Sequence, residues 1–184
     1  WAEYSFRQPT FPGDILLIRA TLDSKEIDEC WDIQMINQEH VVCVLGKVGV
    51  GKAAWSQELV RSRNMQPRQD SPEKSSLTLL NAEIGKDWTA LRVNLSQELS
   101  TEFTTKKQLT DLPLFVGSQA IAHPSWIAGW AEQLLRHNFD IPSSMHTRSR
   151  VQHHRKIPIS TSVIGGAHLV DVYERKAHHF AKFD

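Results

Sequence analysis

The 184-residue chain balances 21 Lys and Arg against 21 Asp and Glu and is 40% hydrophobic. Zero formal charge excludes the positive excess that non-specific nucleic-acid binding and polybasic membrane attachment require. The longest apolar runs, such as Val41–Leu45, fall far short of the ~20 residues of a membrane span, and no basic-then-apolar stretch reads as a secretion signal.

Cys30 and Cys43 are too few for a disulfide scaffold and form no Cys-x-x-Cys pair, so they read as small buried residues of a cytoplasmic protein. Eight of the nine histidines fall between His123 and His179. His153-His154 and His178-His179 are adjacent pairs, which a strand points to opposite faces, so no metal site is expected. The chain opens at Trp1 without Met and stops at Asp184 inside a strand-like run, which reads as a piece of a longer protein.

Residues 1–50 read as consecutive strands. A Pro12-Gly13-Asp14 turn precedes an apolar run from Ile15 to Leu22. Cys30–Ile36 then alternates, with Trp31, Ile33 and Met35 on one face and Asp32 and Gln34 on the other. A polar turn at Asn37–His40 leads into Val41–Leu45, completing an antiparallel meander. Trp55, Leu59 and Val60 make a short helical pattern that runs into a polar, proline-bearing stretch over 62–76, which reads as a linker. Leu91–Leu95 alternates as a strand or a short helix. Pro124 opens a helix in which Trp126, Ile127, Trp130, Leu134 and Leu135 recur at helical spacing, ending near Asn138. His146–Ile159, Val163–Tyr173 and His178–Asp184 read as strands. Phe6–Asp23 can be laid on His154–Asp171, a weak internal echo.

Phe6–Leu22, with its Pro-Gly-Asp turn, resembles the strand that follows the central helix in the hotdog fold of acyl-thioester enzymes. The closest likeness is to the MaoC-like hydratases and β-hydroxyacyl dehydratases. Met145–Asp184 is similar to the matching region of a second unit in double-hotdog proteins. Together the resemblance covers residues 4–50 and 115–184. It implies an α+β fold in which a curved antiparallel sheet wraps a helix. Residues 1–53 would be the closing strands of a first unit and 54–86 a polar linker with a short helix. Residues 87–184 would be a second unit, incomplete at its C-terminal end, with its central helix at about 124–137.

The family's motif, Gly-Asp-x-Asn-Pro-x-His, falls on Gly117–His123. Gly117 and His123 match, Ser118 stands where the acid belongs, and Ala120 and Ile121 replace Asn-Pro. The resemblance implies (R)-specific enoyl hydration or 3-hydroxyacyl dehydration, with His123 as base beside Ser118 and the helix N-terminus polarising the thioester carbonyl. Gly117, Trp126 and Trp130 would line the acyl site. Hydration needs one group to take a proton and another to give one, and losing either costs ~10²–10⁴-fold. The unit is therefore a weak enzyme or a non-catalytic half. Coenzyme A or acyl carrier protein would be part of the substrate, with no separate cofactor. A homodimer or an intrachain double hotdog is expected as the assembly.

Two alternatives stand beside this reading. An acyl-CoA thioesterase shares the fold but places an acid near the helix, where only Glu132 is available. Gly46–Ala53 nearly spells a phosphate-binding loop that would use Lys52, although Ala53 lacks the magnesium-binding hydroxyl and the preceding strands are not parallel.

Overall fold

The computed structural model describes residues 1–24, 29–68 and 73–184. In chain order it contains β1 Ala2–Phe6, β2 Leu17–Leu22, β3 Cys30–Ile36, β4 Val42–Gly49, a 3₁₀ turn at Ala54–Gln57, β5 Leu91–Leu95 and α1 Gln97–Glu102. A π-helical turn at Phe103–Lys107 follows, then α2 Pro124–Ala128, α3 Trp130–Asn138, β6 Arg148–Val151, β7 Thr161–Gly165, β8 Leu169–Arg175 and β9 His178–Phe183. The chain divides into two compact units, residues 1–58 with 143–154 and residues 59–142 with 155–184.

The first unit is one antiparallel sheet of five strands in the order β2-β3-β4-β1-β6. Its meander is the expected one. Asn37 Oδ1 accepts the N–H groups of Glu39 and Val41, closing the β3–β4 turn around His40 at φ +62°. Register sets Ile18, Ala20 and Leu22 beside Met35, Ile33 and Trp31, and these beside Val44, Gly46 and Val48. The opposite face carries Arg19, Asp32, Gln34 and Lys47, with Lys47 paired to Asp23 at 2.9 Å. One face of the sheet is thus apolar, while the other is mixed, since Leu17, Cys30 and Leu45 share the side of Arg19, Asp32, Gln34 and Lys47.

β4 runs on to Gly49, beyond the expected end at Leu45, and two glycines explain why. A Cβ at Gly46 would lie 2.6 Å from the Tyr4 ring, and one at Gly49 would lie 2.6 Å from the Trp1 indole. Both positions therefore admit an aromatic ring, Tyr4 of β1 at one and Trp1 just before β1 at the other, only because they have no side chain.

In the second unit β5 and β7 form an antiparallel ribbon and β8 and β9 a hairpin. The helix expected from Pro124 forms as α2 and α3, joined through Gly129 at φ −73°, ψ −8°. Its apolar stripe packs Trp126 and Trp130 with Leu95, Ala120, Ala122 and Ile159 in one cluster, against Val93 and Val163 of the ribbon. Leu134 reaches a second cluster with Trp88, Ala167 and Leu169. Gly165 of β7 makes room for the helix: a Cβ there would lie 2.6 Å from the Trp130 ring. Asn138 ends α3, accepting the N–H of Thr89 and donating to the carbonyls of Thr89 and Leu134.

The structure is α+β with antiparallel pairing, and several expected elements change. The strand expected over 146–159 is reduced to β6, which pairs with β1 in the first unit. By compactness, the units change over near 58, 142 and 154. Val163–Tyr173 breaks at Gly165-Gly166 into β7 and β8, which belong to different ribbons. The internal echo has no structural counterpart, because Leu17–Leu22 is one strand and its partner stretch spans that break. Leu91–Leu95 is a strand. The polar stretch 62–76 belongs to the second unit, and its residues 69–72 lie outside the described ones. Among the described residues, the helix of the second unit lies on a two-stranded ribbon, and the five-stranded sheet of the first unit carries only a 3₁₀ turn.

Candidate functional site

The site is built on the loop between the π-helical turn and α2. Residues 120–122 run alongside 157–159, with Ala122 N–H donating to Ile157 O at 2.8 Å and Ile159 N–H to Ala120 O at 3.2 Å. That pairing delivers His123 to the N-cap of α2 with extended backbone, and Pro124 supplies a preset φ at the first helical position.

There the His123 Nδ1 accepts the Ser125 backbone N–H at 3.3 Å and lies 2.7 Å from Ser125 Oγ. Ring centroids place Phe115 at 4.6 Å from the imidazole and Phe103 at 6.3 Å. Phe103 opens the π-helical turn, which Gln108 N–H closes on Phe103 O. Partial burial among these rings pushes the His123 pKa below the ordinary histidine value, so the imidazole is neutral at pH 7.

The other residues singled out from the sequence behave differently. Gly117 has φ +103° and accepts the Ala120 N–H at 3.2 Å, so it serves the turn. Ser118 is exposed and makes no hydrogen bond among the described residues, so it does not stand beside His123 as an acid would. Trp126 and Trp130 are buried and meet edge to face at 5.2 Å, which makes them core. α2 has only five residues, too short for the dipole effect expected of a long helix.

Ser125, Phe115 and Phe103 were not among the expected residues. The His-Pro-Ser string is a local cap signal for Ser125, whereas the two phenylalanines are brought in by tertiary structure alone. A second pair also went unanticipated. His168 Nδ1 lies 2.6 Å from Asp87 Oδ1, and Asp87 Oδ2 accepts the N–H groups of Arg63 and Asn64 at 2.6 and 3.0 Å. The hydrogen bond from His168 holds Asp87 below the usual carboxylate pKa.

Two alternatives lose their geometry. Gly46–Gly49 are strand residues paired to β3 and β1, so their N–H groups do not form a phosphate cradle, and Lys52 is exposed just after a bend at Val50 and Gly51. Glu132, the acid a thioesterase would need, is exposed and bridged to Arg136 at 2.9 Å. A shallow groove along α1, lined by Gln97, Thr101 and Thr105, holds none of the candidate residues.

Compared with known proteins, the chain matches no protein-family model and no curated protein sequence. Among the described residues, no helix is long and apolar enough to cross a membrane.

Proposed function

We propose that the chain binds an acyl thioester, with His123 as the polar group that meets the thioester, on an arrangement related to the hotdog fold. Three things support the reading. The Pro-Gly-Asp strand and the Gly117–His123 spacing resemble the MaoC-like hydratases, and the architecture is α+β with antiparallel strands. The observation that carries it is the His123 imidazole itself, neutral, anchored through Nδ1 and near the rings of Phe115 and Phe103. Such a group offers one directed hydrogen bond in apolar surroundings, the environment in which a carbonyl is most strongly polarised.

Hydration would need a second proton-transfer group, and the exposed Ser118 supplies none. The role proposed is therefore binding, with hydration of an enoyl thioester slow or absent. Calorimetric titration with butyryl-CoA and with free coenzyme A tests it. The proposal predicts saturable binding of butyryl-CoA that is at least tenfold tighter than that of coenzyme A. Equal affinities, or no binding of either, would remove it.

A further inference from the structure

We infer that Ser125 is a positioning residue that locks His123 in the tautomer protonated at Nε2, so that the imidazole meets the acyl carbonyl as a hydrogen-bond donor. The second half of that statement rests on the acyl-thioester reading; the first stands on geometry alone.

A serine hydroxyl can donate or accept, so the 2.7 Å contact between Ser125 Oγ and Nδ1 does not by itself assign the proton. The backbone N–H of Ser125 is different, because it can only donate, and it is directed at Nδ1. Nδ1 must therefore present its lone pair, and the hydroxyl, turned to donate, reinforces the same choice. A neutral ring with an unprotonated Nδ1 carries its hydrogen on Nε2. An ionised ring would set its own Nδ1–H against the Ser125 N–H, so the contact also disfavours the charged form. Nε2 makes no hydrogen bond among the described residues and is the nitrogen left to face a ligand.

The chemical consequence is specific. A neutral Nε2–H polarises a carbonyl and stabilises negative charge growing on its oxygen. It cannot take a proton from water, because the ring's only lone pair is engaged by Ser125. The base role expected of His123 thus gives way to that of a donor, which fits a site that holds a thioester without hydrating it.

Nitrogen-15 spectra of the imidazoles test the lock, with the His123 signals identified by their loss in His123→Gln. In the unaltered protein the pattern expected is protonated Nε2 and unprotonated Nδ1. Ser125→Ala keeps the backbone N–H, so protonated Nε2 should persist, while loss of the hydroxyl bond to the neutral ring should raise the His123 pKa, and Ser125→Thr should restore it. A merely structural serine would leave the pKa unmoved. Protonation at Nδ1 in the unaltered protein, or a His123 pKa in Ser125→Ala identical to that of the unaltered protein, would overturn the inference. The expected tautomer without any butyryl-CoA binding would support the lock and overturn the acyl-thioester reading instead.

Discussion

At Asp87 three donors converge on one carboxylate: His168 Nδ1 on one oxygen, and the backbone N–H groups of Arg63 and Asn64 on the other. These bonds, that from His168 above all, are stronger to the ionised carboxylate than to its neutral form, which is why the Asp87 pKa is depressed. A depressed folded-state pKa contributes stability that is present above the unfolded value of about 3.9 and is lost as pH falls through the folded value. Asp87→Asn should therefore lower unfolding stability by about 1–3 kcal/mol at pH 7. The difference between the two proteins should shrink in acid below about pH 4 and vanish once both carry a neutral side chain. Urea titrations at a series of pH values check this, and a difference independent of pH would contradict it. His123 was singled out by motif spacing, and it sits at the N-cap of α2. The Asp87–His168 pair was not legible, since the two residues lie 81 apart and meet only through the bridge that sets residue 87 opposite residue 168. Ser118, which motif spacing set beside His123, is exposed and follows the φ +103° turn at Gly117.

Among the elements, the β8–β9 hairpin turns through Lys176 and Ala177 at φ +52° and +58°. A two-residue turn with both central residues left-handed matches the twist of the strands, but it suits Asn-Gly rather than Lys-Ala. Each side chain there costs roughly 1–2 kcal/mol. Replacing Lys176 with Asn and Ala177 with Gly should raise unfolding stability by about 1–2 kcal/mol, read from the denaturant midpoint at unchanged slope. A neutral or destabilising result would show that the turn is not strained. This hairpin also illustrates what pattern reading can reach. Its second strand was visible in His178–Asp184, yet the turn sequence gave no Gly or Asn to mark it, and β7 and β8 were merged across Gly165-Gly166. β3 was read to the residue because Trp31, Ile33 and Met35 alternate without interruption. α1 was missed: its start depends on the Ser96 side chain accepting the Leu99 N–H at 3.1 Å, a single cap with little apolar periodicity behind it.

For the whole molecule, composition and alternation were enough to indicate α+β with antiparallel strands, because those features follow from period and turn chemistry in each segment. The place of residues 148–151 in the first sheet was not legible. It depends on β6 leaving its neighbours in sequence to pair with β1, and four residues of the form RSRV carry no sign of that partner. The near phosphate-loop string at Gly46–Ala53 misled in the same way. Its glycines serve the rings of Tyr4 and Trp1 on a strand rather than an anion. The proposed function turns on one atom, the Nε2 of His123, and whether it donates to an acyl carbonyl. The most direct measurement is the infrared carbonyl stretch of carbonyl-13C butyryl-CoA bound to the protein and to His123→Ser, which retains a capping side chain too short to reach the ligand. The account predicts a shift to lower frequency in the unaltered protein that is absent in His123→Ser. A carbonyl frequency identical in the two proteins would contradict it.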